Sequence, residues 1–398
     1  MSLSKDSNEK TKSMTMTVNL ETMTQSMNLM PLIFSVSQKT LEKALSFASN
    51  IIDKKQLMPI LSHIKIEINN GRATLTATNM DLVIKESFVV NTQSSGTTCV
   101  PAELFYDIVR KLDKNDTITC SLEGAVLQIK TRRSDFRIPV LESELFPDIS
   151  EMPFESVFTY PTGTLLALLN SVSFCMSTSE VRYALMGLYC HQNEHQGITF
   201  VGTDLHRLGI ASSNQPMSTS FSPCIIGSTT VSEWQRILDG SDEEARLYVS
   251  KARIQLEVMN ASISVTMGAR LLDGSYPNYK KVTVKEHPFH AVVKTDELKV
   301  ALERIALVLS DEETQVNMSF SAKQLLLDAR SRLFGTANET LDIEYTGDDL
   351  SLAINGKYIL DVVRHMKEDS LQIFLKGRFD VVILETQDAQ YFIMPLIV

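Results

Sequence analysis

The order of secondary-structure signals in this 398-residue chain repeats three times, and this repeat constrains the fold more than any other feature. Each copy begins with an amphipathic helical segment and a strand pair, then continues with a second helix and a second strand pair. Corresponding helices are about 130 residues apart, which is an ordinary domain size. The pattern predicts an α+β protein of three domains, each with two helices packed on antiparallel sheets.

Apolar residues at helical spacing mark the start of each copy. In the first copy Leu41, Ala44, Leu45 and Ala48 fall on one helical face. The three first helices are predicted to begin at hydroxyl N-caps, namely Ser37, Thr162 and Thr295. The three second helices are predicted to begin near Pro101, Thr230 and Tyr358.

Alternating apolar and polar residues predict a hairpin after each first helix. In the first copy the hairpin turns at Asn70-Gly71, a dipeptide typical of tight turns. In the second copy a polar turn is predicted from His191 to Gly197, and in the third from Ser321 to Lys323. The second strand pairs are predicted within residues 117–130, 246–267 and 371–385.

Two similar motifs, Phe146-Pro-Asp-Ile149 and Tyr276-Pro-Asn-Tyr279, mark the ends of the first two copies. We therefore expect domains at residues 31–150, 151–284 and 285–398. Residues 1–30 are polar and rich in Ser, Thr and Met, without the apolar core of a signal peptide. This composition predicts a disordered extension, and any of Met23, Met27 and Met30 could be the true start.

Composition excludes several classes of protein. The formal net charge of −10 argues against a protein that coats nucleic acid with a generally basic surface, although a local basic lining remains possible. Five scattered cysteines form no CxxC pair, which predicts reduced thiols in a cytoplasmic protein and no metal site. No apolar run reaches the roughly 18 residues of a membrane span.

A search for catalytic motifs finds no phosphate-binding loop, zinc-protease motif or nucleophile elbow. His191 and His195 have metal-ligand spacing but lie in a polar segment that is typical of a solvated loop. Asp204 and His206 are the one pair that resembles catalytic equipment. On a strand these two side chains would share a face and could simply bond each other, so a hydrolase is disfavoured.

Basic residues recur on or beside the predicted helices of all three copies. A solvated helix face would explain any one helix, but the repetition favours a shared positive surface. The residues are Lys39, Lys43, Lys54, Lys55, Arg110, Lys111, Arg236, Lys294, Lys299, Arg304, Arg364 and Lys367.

Four stretches resemble one family in order and spacing. They are VRYALMG from Val181, TDLHRL from Thr203, LDGSYPNYKKV from Leu272 and the terminal YFIMP from Tyr391. Together they are similar to the bacterial DNA polymerase III β subunit, the sliding clamp, and the likeness runs from about Pro31 to Val398. Each motif alone is weak, but four in the right order on a threefold repeat are strong.

This resemblance implies a head-to-tail homodimer that closes into a ring around double-stranded DNA, with helices lining the hole and sheets outside. It implies no catalytic activity and no cofactor or metal. The implied partners are the DNA polymerase III α subunit, the clamp loader and other proteins with a clamp-binding motif. Contacts to DNA in such a ring would be independent of sequence and sensitive to salt.

By the same resemblance, partner motifs insert into a pocket between the second and third domains. Apolar side chains would form the groove, and Thr203 and Arg207 would offer orienting polar groups. Tyr391 to Ile393 would end the last strand, and the apolar tail after it would form one wall. The implied pocket residues are Leu185, Thr203, Leu205, His206, Arg207, Leu208, Pro277, Lys281, Val282, Asn355, Tyr358, Phe392, Met394, Pro395 and Leu396.

This chain departs from the family pattern at several of these positions. Leu205 stands where glycine is usual, and Ala184 replaces the second of two tyrosines. Lys280-Lys281 replace arginines, and Ile397-Val398 replace a basic ending. We therefore expect a more apolar pocket with a differently shaped rim.

The implied DNA contacts map to Lys55, Ser179, Arg182 and Tyr183. A dimer interface is predicted between a basic edge and an acidic one, because head-to-tail contacts need complementary surfaces. Its predicted residues are Arg133, Phe136 and Ile138 on one side and Val308, Leu309, Asp311 and Glu312 on the other. Two alternatives remain open, a repeat scaffold or adaptor that forms no ring and a hydrolase that uses Asp204 and His206.

Overall fold

A computed structural model describes residues 32–52, 58–149, 153–259, 263–283 and 286–397. The predicted extension at residues 1–30 lies outside these ranges, as do Lys54, Lys55 and Val398. In the described ranges the threefold order of elements is present, and each copy is called a unit below. No helix within them is long and apolar enough to cross a membrane.

Unit I begins with a strand and helix whose sequences explain their ends. Ser37 is the N-cap of the first helix, since its Oγ accepts a hydrogen bond from the backbone N of Thr40 at 3.2 Å. The predicted apolar face of that helix is buried. The elements are β1 Ile33–Ser37, α1 Gln38–Asn50, β2 His63–Asn69, β3 Arg72–Thr78, β4 Leu82–Val89, β5 Asn91–Thr92, β6 Gly96–Pro101, α2 Ala102–Lys111, β7 Thr117–Glu123, β8 Val126–Lys130 and β9 Asp135–Pro139.

Unit II repeats this order with one difference from the sequence prediction. The strand that begins at Gly187 continues through Gln192, so His191 lies in a strand and only the turn that follows is polar. The elements are β10 Ser156–Pro161, α3 Thr162–Val172, β11 Gly187–Gln192, β12 Ile198–Thr203, β13 Arg207–Ser212, β14 Cys224–Gly227, α4 Ser228–Leu238, β15 Glu244–Val249, β16 Arg253–Met259 and β17 Ile263–Arg270.

Unit III repeats the order again, and its second helix begins two residues before the predicted Tyr358. The elements are β18 Phe289–Lys294, α5 Thr295–Ile305, β19 Gln315–Ser321, β20 Gln324–Ser331, β21 Gly335–Asp342, β22 Glu344–Thr346, β23 Leu350–Asn355, α6 Gly356–His365, β24 Ser370–Leu375, β25 Val382–Glu385 and β26 Ala389–Ile393.

The N-cap prediction is wrong for Thr162 and Thr295, which are the first helical residues of α3 and α5. The hydroxyl of Thr162 instead donates to the carbonyl oxygens of Ser241 and Glu243, at 2.5 and 2.8 Å. Thr295 is buried, and its backbone N donates to Asp369 O at 2.9 Å. Both threonines therefore tie a helix start to the loop after the second helix of the unit.

Two large antiparallel sheets run across the boundaries between units. β4 of unit I pairs with β17 of unit II, which makes an eight-stranded sheet. β13 of unit II pairs with β26 of unit III, which makes a nine-stranded sheet. Smaller sheets of five and four strands end at β9 and β21. Two sheets therefore join neighbouring units, and the four sheets together form the strand layer of the chain.

The helices lie on one side of this layer. They pack as pairs within each unit, α1 with α2, α3 with α4 and α5 with α6. Neighbouring pairs also meet across the unit boundaries, through α3 and α6 and through the Arg236 guanidinium, 5.5 Å from the centre of the Phe47 ring. The main apolar core fills the space between helices and strands, and a smaller outer cluster contains Val201, Leu208, Ile383 and Phe392.

One carboxylate is buried beneath the helices at the boundary between units I and II. Glu86 lies in β4, is 1% exposed, and its two carboxylate oxygens have no hydrogen-bond partner within the described chain. Burial raises the pKa of this carboxyl well above its ordinary value, and the nearby Ala48 backbone and Lys43 ammonium offset only part of the effect. Glu86 is therefore expected to stay protonated in the folded chain at pH values where an exposed glutamate is charged.

Glu86→Gln should stabilise the protein increasingly as the pH rises. In the unfolded chain the carboxyl loses its proton near pH 4.3, whereas in the folded chain the pKa is raised. Stability therefore falls by up to about 1.4 kcal/mol per pH unit between the two pKa values, and glutamine removes this loss. Urea unfolding from pH 4 to 8 measures the effect, with the exposed Glu123→Gln as the control. A stability difference that does not change with pH would contradict it.

Candidate partner-binding pocket

The predicted pocket centres on the turn between β12 and β13, residues Thr203 to Leu208. The Thr203 hydroxyl donates to Arg207 O at 2.6 Å and accepts from the backbone N of Leu205 at 3.0 Å. Asp204 Oδ1 accepts from the backbone N of His206 and of Arg207, each at 2.9 Å. Asp204 and His206 are thus turn residues rather than neighbours on one face of a strand. The Asp204 carboxylate stabilises the turn. Within the described residues it is not paired with the His206 ring, so this pair gives no support to a hydrolase.

Leu205 has an unusual backbone conformation. Its φ is +76°, in the left-handed region that disfavours residues with a β-carbon, and its side chain is 43% exposed. The turn therefore requires a glycine-like conformation at the position where the family pattern has glycine. The leucine adds an exposed apolar group beside the predicted pocket.

Arg207 joins units II and III across their boundary. Its guanidinium bonds Asp204 at 3.1 Å, Asp361 of α6 at 2.6 Å and the carbonyl oxygen of Phe174 at 2.6 Å. It also lies 4.5 Å from the centre of the Tyr358 ring. Burial opposes its charge, but Asp361, Cys175 and Asp204 together outweigh this and raise the pKa above its ordinary value. Arg207 and Thr203 are therefore both engaged in hydrogen bonds within the chain.

The apolar part of the pocket is the outer cluster on the nine-stranded sheet. Leu208 and Phe392 are paired neighbours in β13 and β26, and both are buried. The segment after β17 covers the adjoining face, where the Tyr276 ring stacks on Tyr189 at 5.0 Å and Tyr276 OH donates to Val201 O at 3.1 Å. Pro277, Lys281 and Val282 of this segment are exposed at its rim.

The end of the chain lies beside the same turn. The backbone N of Met394 donates to His206 O at 2.9 Å, and the backbone N of Leu396 donates to Ala353 O at 2.8 Å. Met394 is 47% exposed, and Pro395 and Leu396 are half-buried. These two hydrogen bonds place the tail between β13 and β23, next to the exposed Leu205 and His206.

Three further predicted pocket residues have structural roles. Leu185 is buried. Asn355 caps α6, since its Oδ1 accepts from the backbone N of Lys357 at 3.0 Å, and Tyr358 lies under Arg207. The cavity that Phe374, Ile383 and Phe392 line in part has a volume of about 110 Å³, and another of about 410 Å³ is lined in part by Ile210 and Tyr279.

The predicted DNA contacts that are described lie on a short 3-10 segment or just before it. Ser179, Arg182 and Tyr183 are exposed, and the segment Glu180–Met186 is broken at Arg182, where φ is −122° and ψ is 66°. On the helices, the arginines are held in ion pairs with neighbouring acids, as in Arg304 with Glu339 at 2.6 Å. Lysines that form no ion pair within the described ranges supply the remaining positive charge, namely Lys39, Lys43, Lys111, Lys299 and Lys367.

The predicted dimer residues are divided between surface and core. Arg133, Phe136, Asp311 and Glu312 are exposed, whereas Val308 and Leu309 are partly buried against their own unit. Ile138 is 4% exposed and its side chain belongs to the core of unit I, so only its backbone, on the edge strand β9, is available to the predicted interface. The Asp311 carboxylate bonds Lys357 Nζ at 2.7 Å, which lowers its pKa.

Three exposed apolar residues near β21 were missed. Leu307 is 79% exposed, Leu333 is 83% exposed and Phe334 is 57% exposed. The repeat contains the signal that could have found Leu307, because α3 and α5 both begin at a threonine and Leu307 then corresponds to Phe174. Phe174 packs across the boundary between units II and III, 4.5 Å from the His365 ring.

Family models for the N-terminal, central and C-terminal domains of the DNA polymerase III beta subunit match residues 32–150, 159–278 and 280–397. The beta sliding clamp of Escherichia coli K12 is 29% identical over 367 residues, which cover 91% of this chain and 99% of that one. The solved DnaN sliding clamp of Bartonella birtlesii bound to griselimycin is 27% identical, with a TM-score of 0.85 over 92% of this chain and 100% of that one. The solved beta sliding clamp of C. crescentus is 25% identical, with a TM-score of 0.86 over 92% and 99%.

Leu205→Gly should stabilise the protein by about 1 kcal/mol relative to Leu205→Ala, because only glycine relieves the left-handed conformation. Both variants remove the exposed leucine side chain, so their comparison isolates the backbone. Thermal and urea unfolding of the two variants measure the difference. Equal stability would mean that residue 205 adopts its φ without strain.

Proposed function

The chain belongs to the DNA polymerase III beta subunit family of sliding clamps, and from this premise we propose how it closes around double-stranded DNA and holds its partners. It is a DNA sliding clamp for DNA polymerase III and not a catalytic enzyme. We expect it to work in the cytoplasm, as the polymerase and its DNA do in bacteria.

The pairing of edge strands carries the proposal of a ring. At both internal boundaries a strand from the first half of one unit, β4 or β13, pairs antiparallel with the last strand of the next unit, β17 or β26. Their counterparts, β21 in unit III and β9 in unit I, end their sheets within the described chain. An unpaired edge is a template for another strand. A second copy would supply β9 to β21, and the same contact repeated would close two chains into a ring.

The side chains around these edges support that contact. Leu307, Leu333 and Phe334 lie exposed on the unit III side, and Phe136 is 39% exposed on β9. Isolated exposed apolar residues are common, but a group of them beside an unpaired strand is typical of an interface. The basic Arg133 and the acidic Glu312 add complementary charges to the two sides.

DNA would then lie against the helices. The six α-helices of the described ranges lie on the face of the strands opposite to the outer cluster, so two chains would present twelve such helices to the hole. The unpaired lysines on this layer, together with Lys55, Ser179, Arg182 and Tyr183, would contact phosphates without reading sequence. An exterior with excess negative charge would keep the ring from binding other DNA.

Partners would dock at the boundary between units II and III. We propose that a short motif of the polymerase α subunit, of the clamp loader or of another partner lays apolar side chains against Leu208, Phe392 and Met394. Leu205 adds an apolar rim that a glycine would lack, and Arg207 holds the two units in register beneath it. The free space is small, so we expect Leu205 and Met394 to move when a motif binds.

Encirclement is tested by topology. Clamp loaded onto a circular duplex should remain bound in 1 M salt and be lost when the circle is cut, because salt screens phosphate contacts but does not open a ring. Leu333→Asp should run near the 44.5 kDa mass of one chain and fail to be retained. Leu326→Asp, a change on the exposed face of β20, is the matched control. Equal loss from intact and cut circles would contradict encirclement and favour a repeat scaffold without a ring.

Removal of the tail after Ile393 should weaken binding of a clamp-binding-motif peptide by about tenfold or more and leave the dimer intact. The tail adds Met394 to the pocket, and within the described ranges its backbone is bonded to His206 and Ala353. Fluorescence anisotropy of the labelled peptide measures binding, and sedimentation measures mass. Ile397→Ser is the control, since Ile397 is 91% exposed. Loss of the dimer instead would mean that the tail belongs to the dimer interface and not to the pocket, which would contradict the proposal.

A further inference from the structure

A larger groove lies on the outer face at the boundary between units I and II. Its volume is about 700 Å³, and its lining includes Val83, Phe154, Tyr248, Gln255 and Gly268. We propose that this groove is a second docking site, for a short segment of a partner protein that presents an aromatic side chain next to a carboxylate. The site is separate from the pocket between units II and III.

The strand register shows that the groove is the counterpart of that pocket. Gly268 pairs with Val83 in β4 and with Gln255 in β16. In the next boundary Phe392 pairs with Leu208 in β13 and with Ile383 in β25. Gly268 therefore occupies the position of Phe392.

The turn beside the groove is also a copy of the Thr203 turn. The Thr78 hydroxyl donates to Leu82 O at 2.7 Å and accepts from the backbone N of Met80 at 3.0 Å. Asn79 Oδ1 accepts from the backbone N of Asp81 and of Leu82, as Asp204 does in the other turn. Met80 has a φ of +80° and is 54% exposed, so it stands at the rim as Leu205 does.

The two boundaries differ in the side chain at the centre. Phe392 fills the space between units II and III and leaves a cavity of about 110 Å³. At Gly268 the nearest atom to an added β-carbon would be Gln255 Oε1 at 3.8 Å, which is ordinary contact. The groove between units I and II thus has room for the aromatic ring of a ligand at the position that the Phe392 ring occupies between units II and III.

The walls suit an aromatic side chain. The rings of Phe154 and Tyr248 lie 5.5 Å apart and form one side of the groove. Tyr248 is fixed by the hydrogen bond that its OH donates to Glu257 Oε2 at 2.5 Å. A third ring could pack on this pair, while the flexible Met80 side chain at the rim can adapt to its shape.

The charges favour a carboxylate beside that ring. The two acids of the lining are each paired with an arginine at its edge, Asp81 with Arg270 and Glu257 with Arg246. The lining also contains Lys85 and Arg253, and the Arg253 guanidinium forms no ion pair within the described ranges. The Arg253 guanidinium is therefore the group of the lining that remains available to a carboxylate of the ligand. An acidic segment is the complementary ligand.

The test uses two fluorescein-labelled peptides, Ser-Trp-Asp-Asp-Gly and its lysine counterpart Ser-Trp-Lys-Lys-Gly, titrated into the full chain. The acidic peptide should bind saturably, and the basic one about fivefold more weakly or worse. Gly268→Phe should weaken the acidic peptide by about tenfold or more, because it places in the groove the ring that Phe392 supplies next door. It should keep the dimer mass, since the β-carbon has room.

Arg253→Glu should weaken the acidic peptide by about fivefold and improve the basic one. Lys251→Glu is the matched control, an exposed charge outside the lining, and should leave both peptides unchanged. Removal of the tail after Ile393 should also leave them unchanged. The proposal is overturned if no saturable binding occurs at millimolar peptide, if Gly268→Phe binds as tightly as the unchanged chain, or if removal of the tail abolishes binding. The last result would place the peptide between units II and III, where the pocket proposed above lies.

Discussion

Backbone pairing across the unit boundaries is the constraint on which the rest of this structure depends. The bonds of β4 with β17 and of β13 with β26 join separate units into continuous sheets, and they fix the distance and angle between neighbours. Since backbone groups do the joining, the side chains on either face remain free to differ. The inner face can then present helices to DNA while the outer face forms grooves, without a change in the frame.

At the boundary between units II and III an ion pair adds to the backbone pairing. The Arg207 side chain is mostly buried, and its guanidinium bonds Asp361 and Phe174 O. These bonds stabilise its charge away from water. A buried ion pair adds little net stability, but removal of one partner is costly because the other charge is left unpaired. Such a contact penalises any slip of β13 against β26. It therefore holds the register of the surface on which partners are proposed to bind.

Sequence reasoning reached the fold because the helical faces and hairpin turns are local signals. The alternation in β2 and the Asn70-Gly71 turn need no tertiary information, and both turn residues have positive φ in the structure. The errors arose where distant parts of the chain decide. The hydroxyl of Thr162 bonds a loop some eighty residues away rather than its own helix. The left-handed φ of Leu205 could not be read from a leucine, whose β-carbon argues against it.

A turn with a hydroxyl residue at its start occurs at each boundary, although Met80 and Leu205 have positive φ and Leu333 does not. A buried hydroxyl at Thr78, Thr203 or Ser331 accepts a hydrogen bond from the backbone N two residues later. The residue at that later position is always apolar and exposed, Met80, Leu205 or Leu333. These three residues stand at the groove between units I and II, at the pocket between units II and III, and at the unpaired edge of unit III. Each boundary thus has an exposed apolar residue at its rim, and at the two internal boundaries the residue behind it, small at Gly268 and large at Phe392, decides whether the boundary is open or filled.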